Sequence, residues 1–332
     1  MPERTDDVVI IGSGIAGQSA AIYAARADLD PAVVTGKEPG GQLTLTTDVE
    51  NYLGFPEGIG GHELVRRGRE QAERFGANFE RSSVVDARMN QTPHELELSS
   101  GETLRTRAVV LATGASARTL GVPGEDELIG SGLSTCATCD AAFHRGNDVL
   151  VVGGGDAAME EALFLTKFAD SVTVVHRREE LRAAEILAKR ALDHDGITFR
   201  WNTELDEIHG SRADGVTAVT VVSHPDGYPV RRRSNGTAVD SETLEVQGVF
   251  YAIGHEPNTA FLEGTPVELD AQGYVLTDPE TTETTVEGVF AAGDVADARY
   301  QQAVSAAGTG SVAALDAEAY LGRQTKRQPA ST

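Results

Sequence analysis

The sequence predicts an α/β protein that contains two Rossmann-like domains, the second inserted into the first. A short β-branched apolar strand, followed at once by a glycine-rich turn and a helix, occurs twice, starting near residues 8 and 148. This strand–glycine–helix unit is typical of a dinucleotide-binding fold. Two later apolar strands, at 249–253 and 288–292, carry no glycine motif of their own. They could complete the first sheet, which would place the second domain between two parts of the first.

The first unit begins with a buried parallel strand, predicted over residues 7–11, since the four residues after Asp7 form a continuous apolar run of β-branched side chains. Helices, a second buried strand and an alternating hairpin around Ser99-Ser100-Gly101 follow. In chain order the predicted elements are strand 7–11, helix 18–27, strand 31–35, helix 62–75, strands 94–98 and 102–105, and strand 108–112.

The same order of elements restarts in the second half of the chain. The predicted elements there are strand 148–152, helix 159–168, strand 172–176, helix 181–194, short alternating strands within 197–247, strands 249–253 and 288–292, and helix 302–320. Arg231-Arg232-Arg233 is interpreted as a solvated loop that balances local acid. The polar tail 322–332 is expected to fray.

Gly12-x-Gly14-x-x-Gly17 follows the first strand directly and opens the first helix, which is the context that a dinucleotide fingerprint requires. Gly12 permits the tight turn, Gly14 lets the backbone approach a pyrophosphate, and Gly17 permits close packing of helix and strand. The N-terminus of the helix supplies partial positive charge to the phosphates. The second strand ends at Thr35-Gly36 without the acidic residue that usually holds a ribose. A tight structural turn is the alternative interpretation.

Gly153-x-Gly155-x-x-Ala158 is the second such motif, with Ala in the third position. Its companion strand ends in His176-Arg177-Arg178, and Arg182 follows four residues later. Where an NAD site places an acid against the ribose 2′-hydroxyl, this sequence places guanidinium groups. A planar guanidinium binds phosphate in a bidentate manner, so the pattern favours NADP(H). The alternative is a solvated, basic start of a helix.

Cys136-Ala137-Thr138-Cys139-Asp140 contains both cysteines of the chain. A structural zinc site needs two more ligands at short spacing, and the distant His144 and His176 offer no such pattern. Two inert buried thiols are a second possibility. The favoured interpretation is a redox dithiol, because the spacing suits a reversible disulfide. Asp140 could donate and accept the proton of the neighbouring thiol, although such a carboxylate is more often a turn or cap residue.

The composition excludes several classes of function. The chain has 332 residues, 51 acidic side chains against 28 Lys and Arg, and a formal charge of −23, so a nucleic-acid backbone would repel it. No apolar run approaches the roughly 20 residues of a membrane-spanning helix, and the N-terminus lacks the pattern of a secretory signal. We therefore expect a cytoplasmic protein that binds neither nucleic acid nor membrane. Acid excess with only four lysines indicates adaptation to high salt, the alternative being an ordinary acidic cytosolic protein.

Two dinucleotide fingerprints and a lone C-x-x-C at mid-chain resemble the low-molecular-weight thioredoxin reductases, over nearly the whole chain from Val8 to about Leu321. Further stretches carry the same resemblance. They lie at residues 40–44, 50–52, 112–118, 252–259, 289–295 and 307–310.

The resemblance implies an FAD-binding domain at 1–117 and 248–332. Asp294 would hydrogen-bond the ribityl chain, and Gln302-Ala303 would lie at the pyrimidine edge of the flavin. The family places no acid after Thr35, which accounts for its absence here. The implied FAD-binding residues are Gly12, Ser13, Gly14, Ala16, Gly17, Thr35, Gly36, Gly40, Gly41, Gln42, Asn51, Ala112, Thr113, Gly114, Gly293, Asp294, Gln302 and Ala303.

The resemblance also implies an NADP(H)-binding domain at 118–247 that carries the cysteines. Cys139 would face the flavin, Cys136 would attack the thioredoxin disulfide, and Asp140 would donate and accept the proton. The implied NADP(H)-binding residues are Gly153, Gly155, Asp156, Ala157, Ala158, His176, Arg177, Arg178 and Arg182.

The implied activity is the FAD-dependent reduction of thioredoxin by NADPH in a homodimer. Because the cysteines and the NADP(H) site share one domain, we expect a hinge rotation between the half-reactions, pivoting at the crossings near 118–120 and 247–249. Two alternatives stay open. One is a reductase or oxidase of another disulfide, such as that of a peroxiredoxin system or a small thiol, and the other is a slow, FAD-containing redox sensor.

Three positions depart from the usual pattern of the family. Gln301-Gln302-Ala303 stands where Arg-Gln-Ala is common, and Ala141 stands where Gly often follows the C-x-x-C-Asp run. Gly130 or Ser131 stands where a basic residue is common, a change that could alter the surface presented to thioredoxin.

Overall fold

The computed structural model describes the backbone of residues 4–327 and the side chains of residues 6–324. Contacts within this part of the chain divide it into two compact units. Unit 1 comprises the chain up to Ser116 and from His255 onward, and unit 2 comprises Ala117–Gly254, so that unit 2 is inserted into the chain of unit 1. In the described part of the chain, every helix is too short or too polar to span a bilayer.

The described residues form 17 strands and eight α-helices. In chain order these are β1 (Arg4–Ile11), α1 (Ile15–Arg26), β2 (Pro31–Val34), α2 (Gly61–Arg74), β3 (Asn78–Glu80), β4 (Val84–Arg88), β5 (His94–Leu98), β6 (Thr103–Leu111), β7 (Ala115–Ala117), α3 (Glu125–Leu128), β8 (Leu133–Ser134), α4 (Ala137–Asp140), β9 (Asp148–Gly153), α5 (Asp156–Leu165), β10 (Ser171–His176), α6 (Glu185–Leu192), β11 (Ile197–Trp201), β12 (Thr203–Ser211), β13 (Gly215–Ser223), α7 (Pro229–Ser234), β14 (Asp240–Glu245), β15 (Gly248–Ala252), β16 (His255–Pro257), β17 (Val289–Ala291) and α8 (Ala303–Arg327).

Unit 1 is built around a sheet with the strand order β3-β2-β1-β6-β5-β4. β1 lies between β2 and β6 and runs parallel to both, with Ile10 opposite Val33 on one side and Val110 on the other. The first part of β6 pairs with antiparallel β5, and its last part pairs with parallel β17. The prediction that strand 288–292 completes the first sheet is therefore confirmed. Buried alanines of α1 and α8 pack together on this sheet, so the turn after β1 lies against both helices.

Unit 2 contains a parallel sheet of order β11-β10-β9-β15-β8 and an antiparallel sheet of β12, β13 and β14. The expectation that residues 249–253 complete the first sheet is wrong, because β15 pairs with β9, with Val249 opposite Leu150. All five residues of β15 are buried, and such an apolar strand suits the interior of either sheet. The chain therefore returns to unit 1 at Gly254–His255, later than the predicted crossing at 247–249.

The two chain crossings run side by side. β7 pairs with β16 in a two-stranded ribbon. Within unit 2, the Arg118 N–H donates to the Gly254 carbonyl at 3.0 Å, and within unit 1 the Asn258 N–H donates to the Gly114 carbonyl at the same distance. In each unit, a backbone hydrogen bond therefore joins the two chain segments that lead out of that unit.

Helix α6 begins at Glu185 and not at 181 as predicted. The N–H groups of Arg182 and Ala183 donate to the Gly154 carbonyl at 2.7 and 3.2 Å, which holds this segment as a loop. The apolar periodicity of the sequence extends across the loop, because Leu181 packs against the same core as the helix.

Two further predictions about the polar segments were wrong. The basic run at 231–233, interpreted as a loop, lies in the short helix α7, in which Arg233 pairs with Asp206 and Arg232 with Asp226. Helix α8 continues to Arg327, so residues 322–327 are helical and not frayed as predicted. Residues 328–332 lie outside the described part of the chain.

Candidate active site

The first glycine motif forms a tight turn between β1 and α1. Gly12 has a φ of +113°, and a Cβ at this position would lie 2.1 Å from the Ala112 carbonyl oxygen. A Cβ on Gly17 would lie 1.9 Å from the Gly12 carbonyl oxygen, whereas one on Gly14 would meet nothing closer than 3.8 Å. Gly12 and Gly17 are therefore required by packing, and Gly14 leaves open space at the start of α1.

Hydrogen bonds close the first motif against two other predicted segments. The Ser13 hydroxyl donates to the Thr35 carbonyl at 3.1 Å and accepts from the Gly40 N–H at 3.0 Å. Gly41, which leads into Gln42, lies against Gly14, since a Cβ on Gly41 would be 3.4 Å from the Gly14 Cα. The segments at 12–14, 35–36 and 40–42 thus surround the N-terminus of α1.

The remaining predicted residues of unit 1 lie in two smaller groups. The Asn51 side-chain amide donates to Gln302 at 3.4 Å, immediately before Ala303 begins α8. Gly293 lies against the first motif, because a Cβ there would be 2.8 Å from the Ala16 Cβ. Burial, and after it the neighbouring Asp297 carboxylate, raises the pKa of Asp294 to about 6. A hydroxyl that donates to this carboxylate, as the predicted ribityl contact would, stabilises the charged form and so opposes this rise of the pKa.

Unit 1 has the features of a cradle for a large polar cofactor. A Cβ on Gly36 or Gly114 would meet nothing within 4 Å. The Thr113 hydroxyl is buried and has no hydrogen-bond partner among the described residues, which is costly unless a ligand supplies one. The first turn of α1 contains no acid, so its free N–H groups suit a phosphate. These residues fit the pyrophosphate and ribose of FAD.

The second glycine motif repeats this geometry between β9 and α5. A Cβ on Gly153 would lie 2.4 Å from the Ala252 carbonyl oxygen and 2.8 Å from the Ala158 Cβ. A Cβ on Gly154 would lie 2.4 Å from the His176 ring, whereas Gly155 has open space around it. Like the first motif, the second therefore contains two glycines that packing requires, Gly153 and Gly154, and one glycine, Gly155, that leaves open space.

The end of β10 and the loop after it lie beside the second motif. Arg182 is held there by its backbone bond to Gly154, and the Asp156 carboxylate in the first turn of α5, next to Ala157, accepts from the Ala184 N–H at 2.6 Å. Arg178 and Arg182 line an open cleft of about 440 Å³. Arg177 is exposed and lies over the ring of Tyr228.

The charges of this cleft suit an anion. The Arg178 Nε is buried and has no hydrogen-bond partner among the described residues. Burial lowers the pKa of His176, a hydrogen bond with the Glu180 carbonyl opposes this, and the neighbouring arginines lower the pKa further. The His176 ring is therefore neutral at pH 7, and the guanidinium groups carry the positive charge. These residues fit the 2′-phosphate of NADP(H).

Cys136 and Cys139 form a disulfide, with their Cα atoms 5.3 Å apart. Both lie at the short helix α4, where Cys136 is the N-cap, and both are half-buried. Ala137 and Ala141 pack into one hydrophobic cluster with Ala158 and Ala162 of α5. The disulfide is the state expected of a redox pair, and it places the pair against the helix that follows the second glycine motif.

Ser134 connects the disulfide to Asp140, the predicted proton donor. Nothing in the sequence around Ser134 indicates this role. Its hydroxyl accepts from the Cys136 N–H at 3.0 Å. Burial raises the pKa of Asp140, and a hydrogen bond with the Ser134 hydroxyl opposes the rise. A carboxyl group with a raised pKa keeps its proton to a higher pH than an ordinary aspartate does, which suits proton donation.

Glu161 is a second acid at the disulfide, and sequence reasoning missed it. Its carboxyl group accepts from the N–H of Ala137, the residue that follows Cys136, and its Oε2 is buried without a partner among the described residues. Burial raises the pKa of Glu161 to about 8; the bond to Ala137 opposes the rise, and the Glu160 charge adds to it. Glu161 is thus protonated at pH 7. The only signal in the sequence is an acid on the apolar stripe of α5.

Three comparisons relate the chain to known proteins. The sequence profile of the pyridine nucleotide-disulphide oxidoreductases matches residues 6–310. A thioredoxin reductase of Mycolicibacterium smegmatis is 52% identical over 322 residues, which are 97% of this chain and 98% of that protein. A bifunctional thioredoxin reductase/thioredoxin of Mycobacterium leprae is 48% identical over 319 residues, 96% of this chain and 66% of that protein. The crystal structure of a thioredoxin reductase from Streptococcus pyogenes is 37% identical, with a TM-score of 0.88 and coverage of 97% of this chain and 100% of that one.

Proposed function

Because the chain belongs to the pyridine nucleotide-disulphide oxidoreductases, and among them to the thioredoxin reductases, we propose that it reduces a thioredoxin disulfide with NADPH. The observation that carries the proposal is the Cys136–Cys139 disulfide. The residues beside it pack against α5, the helix that follows the second glycine motif. The fusion of reductase and thioredoxin in the Mycobacterium leprae relative supports thioredoxin as the partner. The balanced reaction converts NADPH, one proton and a disulfide into NADP⁺ and a dithiol.

Unit 1 holds FAD and unit 2 holds NADPH in this proposal. The Gly14 turn, Thr113 and Asp294 bind FAD, while Arg177, Arg178 and Arg182 bind the 2′-phosphate of NADPH. FAD, when bound, supplies the step that converts hydride transfer from the nicotinamide into two-electron reduction of a disulfide. The protein supplies placement and electrostatics.

The cysteine pair then performs thiol–disulfide exchange. The Cys136 thiolate attacks one sulfur of the substrate, which forms a mixed disulfide and releases the other substrate sulfur as a thiolate. The Cys139 thiolate attacks the Cys136 Sγ, which restores the internal disulfide and frees the second substrate sulfur. Asp140, with its raised pKa, donates a proton to a departing thiolate and is reprotonated from solvent.

A coupled assay tests the proposal and separates it from its alternatives. The holoenzyme should be yellow, should bleach with NADPH, and should reduce an aromatic disulfide only when thioredoxin is added. Turnover with a small thiol disulfide or a peroxiredoxin in place of thioredoxin would assign the chain to another disulfide. Bleaching without turnover with any disulfide would assign it to a redox sensor.

We propose a hinge rotation between the two half-reactions. The cysteine pair and the arginine cleft belong to unit 2, and the FAD-binding residues belong to unit 1, so one rigid arrangement cannot serve both partners while exposing Cys136. The pivots are the crossings at Ser116–Ala117 and Gly254–His255. Such motions take microseconds to milliseconds and can limit turnover. A covalent cross-link between the units should keep one half-reaction fast and stop steady turnover, and undiminished turnover would contradict the rotation.

The finer parts of the proposal are a homodimer, a cytoplasmic location and a salt-adapted surface. A transient, catalytic disulfide is the kind that cytosolic proteins carry.

The formal charge of −23 supports salt adaptation, because added salt screens self-repulsion in the folded state. The melting temperature should rise steeply from low to molar KCl, and a flat or falling profile would contradict this part. Sedimentation equilibrium tests the dimer.

A further inference from the structure

The cleft beside the second glycine motif has a wall that no motif in the sequence indicates. The cleft is lined by Arg178 and Arg182, and also by the segment Pro225–Tyr228. We call this segment the 225–228 loop. It connects β13 to α7, and it reaches the cleft from a part of the chain outside the strand–glycine–helix unit.

Tyr228 contacts Arg177 through both its backbone and its side chain. The Tyr228 N–H donates to the Arg177 carbonyl at 3.0 Å. The Arg177 guanidinium lies over the Tyr228 ring, 5.4 Å from the ring centroid. Tyr228 holds this position with a φ of +50°, in the left-handed region that a non-glycine residue adopts only where its surroundings fix it. The ring therefore lies within cation–π distance of the guanidinium, whose N–H donors form no side-chain hydrogen bond or ion pair among the described residues.

Among the described residues, three hydrogen bonds from side chains to its carbonyl groups also hold the 225–228 loop in place. Arg232 of α7 donates to the Gly227 carbonyl at 2.7 Å and to the Asp226 carbonyl at 3.1 Å. The Asn202 side-chain amide donates to the Pro225 carbonyl at 2.9 Å. A Cβ on Gly227 would lie 2.7 Å from the Arg177 carbonyl oxygen, so the loop lies directly against the end of β10. Its position and that of Arg177 are coupled.

Most of the acidic groups that face the cleft already have partners. The Glu179 carboxylate accepts from Asn202 at 3.1 Å, and the Asp226 carboxylate lies 3.5 Å from Arg232. Glu180 is exposed at the rim. Arg178 and Arg182 line the same space and form no ion pair among the described residues, so a doubly charged phosphate entering it can pair with both guanidinium groups.

We propose that Tyr228 is a positioning residue that holds the Arg177 guanidinium for the 2′-phosphate, and that the 225–228 loop thereby sets the preference for NADP(H) over NAD(H). The inference rests on the proposed function, since it assumes that the arginine-flanked cleft binds NADP(H). A guanidinium stacked on an aromatic ring loses less conformational freedom when it binds phosphate than a mobile one.

The test compares the calorimetric affinities of 2′,5′-ADP and 5′-AMP for the FAD-loaded enzyme, because the two probes differ only in the 2′-phosphate. Tyr228→Leu fills the space without an aromatic face and should weaken 2′,5′-ADP binding about two- to fivefold, the range of an exposed cation–π contact. Affinity for 5′-AMP should not change. Tyr228→Phe keeps the ring and should bind both probes like the parent enzyme. Tyr228→Ala provides a second ring-free variant.

A double-mutant cycle with Arg177→Gln separates positioning from direct contact. If Tyr228 acts through Arg177, Tyr228→Leu should cause no further loss of 2′,5′-ADP affinity in the Arg177→Gln enzyme. Additive losses, or an equal loss of affinity for 5′-AMP, would overturn the inference and assign the ring to the adenine or to the fold. A parent enzyme with equal affinity for both probes would instead contradict the NADP(H) site of the proposed function.

Discussion

The two glycine turns have nearly the same backbone and different surroundings. A Cβ on Gly12 would lie 2.1 Å from a neighbouring strand carbonyl, and one on Gly153 would lie 2.4 Å from the equivalent carbonyl. Each turn contains one glycine, Gly14 or Gly155, that leaves space at the start of a helix. The turn therefore determines where a pyrophosphate can lie, and it does so alike in both units.

The ends of the second strands differ. In unit 1, Thr35 is buried and bonded to Ser13 through its carbonyl, so that this end of the site is uncharged and closed. In unit 2, His176 is followed by the exposed Arg177 and by Arg178, which lines an open cleft. The glycines therefore select the class of ligand, a dinucleotide, and the residues after the second strand select which dinucleotide binds.

Removing the cysteines should have the largest effect, because it separates the nucleotide sites from the disulfide chemistry. Cys136→Ser and Cys139→Ser should each reduce thioredoxin turnover to background, since no internal disulfide can form, while NADPH still bleaches the flavin. If Cys139 faces the flavin, Cys136→Ser keeps a thiolate beside it and shows a long-wavelength charge-transfer band. Equal bands in both variants, or a band in Cys139→Ser alone, would reverse the assignment of the two cysteines.

Alanine at each packed glycine should remove one ligand and leave the other. Gly12 and Gly153 have φ values of +113° and +156° and no room for a Cβ, so each substitution forces its turn apart at a cost of roughly 1–3 kcal/mol or more. Gly12→Ala should be purified without FAD and still bind 2′,5′-ADP, and Gly153→Ala should show the converse. Gly322→Ala, at a helical glycine with open space, is the control. Loss of both ligands in both variants would mean that the turns serve the fold alone.

Neutral residues after the second strand of unit 2 should change cofactor choice. Arg177→Gln and Arg178→Gln each remove charge-assisted hydrogen bonds worth roughly 1.5–3 kcal/mol. Affinity for NADPH should therefore fall about tenfold or more per arginine, and affinity for NADH should change little. Steady-state kinetics with both cofactors measures the ratio. A parallel loss for the two cofactors would assign a structural role to the arginines.

The remaining difference lies in the helices that follow the two turns, and its expected effect is on the free energy of unfolding. The position of Glu161 in α5 corresponds to Ala20 in α1, which is fully buried. Burial raises the pKa of Glu161 from 4.5 to about 8, so the folded protein keeps a proton that the unfolded chain loses. The free energy of unfolding should therefore fall as pH rises from about 4.5 to 8, by at most about 5 kcal/mol from this group. Above pH 8 its contribution is constant.

Glu161→Gln cannot lose this proton, so its unfolding free energy should fall less between pH 5 and pH 8 than that of the parent protein. Urea unfolding at the two pH values measures the difference. Glu160→Gln is the matched control, because Glu160 is the neighbouring residue in the same helix and is exposed. The same pH dependence in the parent protein and in Glu161→Gln would mean that this carboxyl group ionises normally.

Local patterns sufficed to predict the two turns and the cysteine pair. A glycine between an apolar strand and a helix, or two cysteines three residues apart, implies its geometry through covalent reach and steric exclusion. The sequence did not predict that 249–253 joins unit 2, because a strand that is apolar throughout fits either sheet. It also did not indicate Glu161 or Tyr228. Their roles depend on contacts with Ala137 and Arg177, which are distant in sequence and are brought close only by the fold.

The most direct test of the account is an anaerobic reaction of the holoenzyme with one equivalent of NADPH, followed by alkylation and mass spectrometry. We expect one alkyl group on Cys136 and one on Cys139 per enzyme chain. Oxidised thioredoxin added before the alkylating agent should restore the internal disulfide and yield one thioredoxin dithiol per NADPH. Consumption of NADPH with the Cys136–Cys139 disulfide still intact, or a reduced pair that thioredoxin does not reoxidise, would contradict the account.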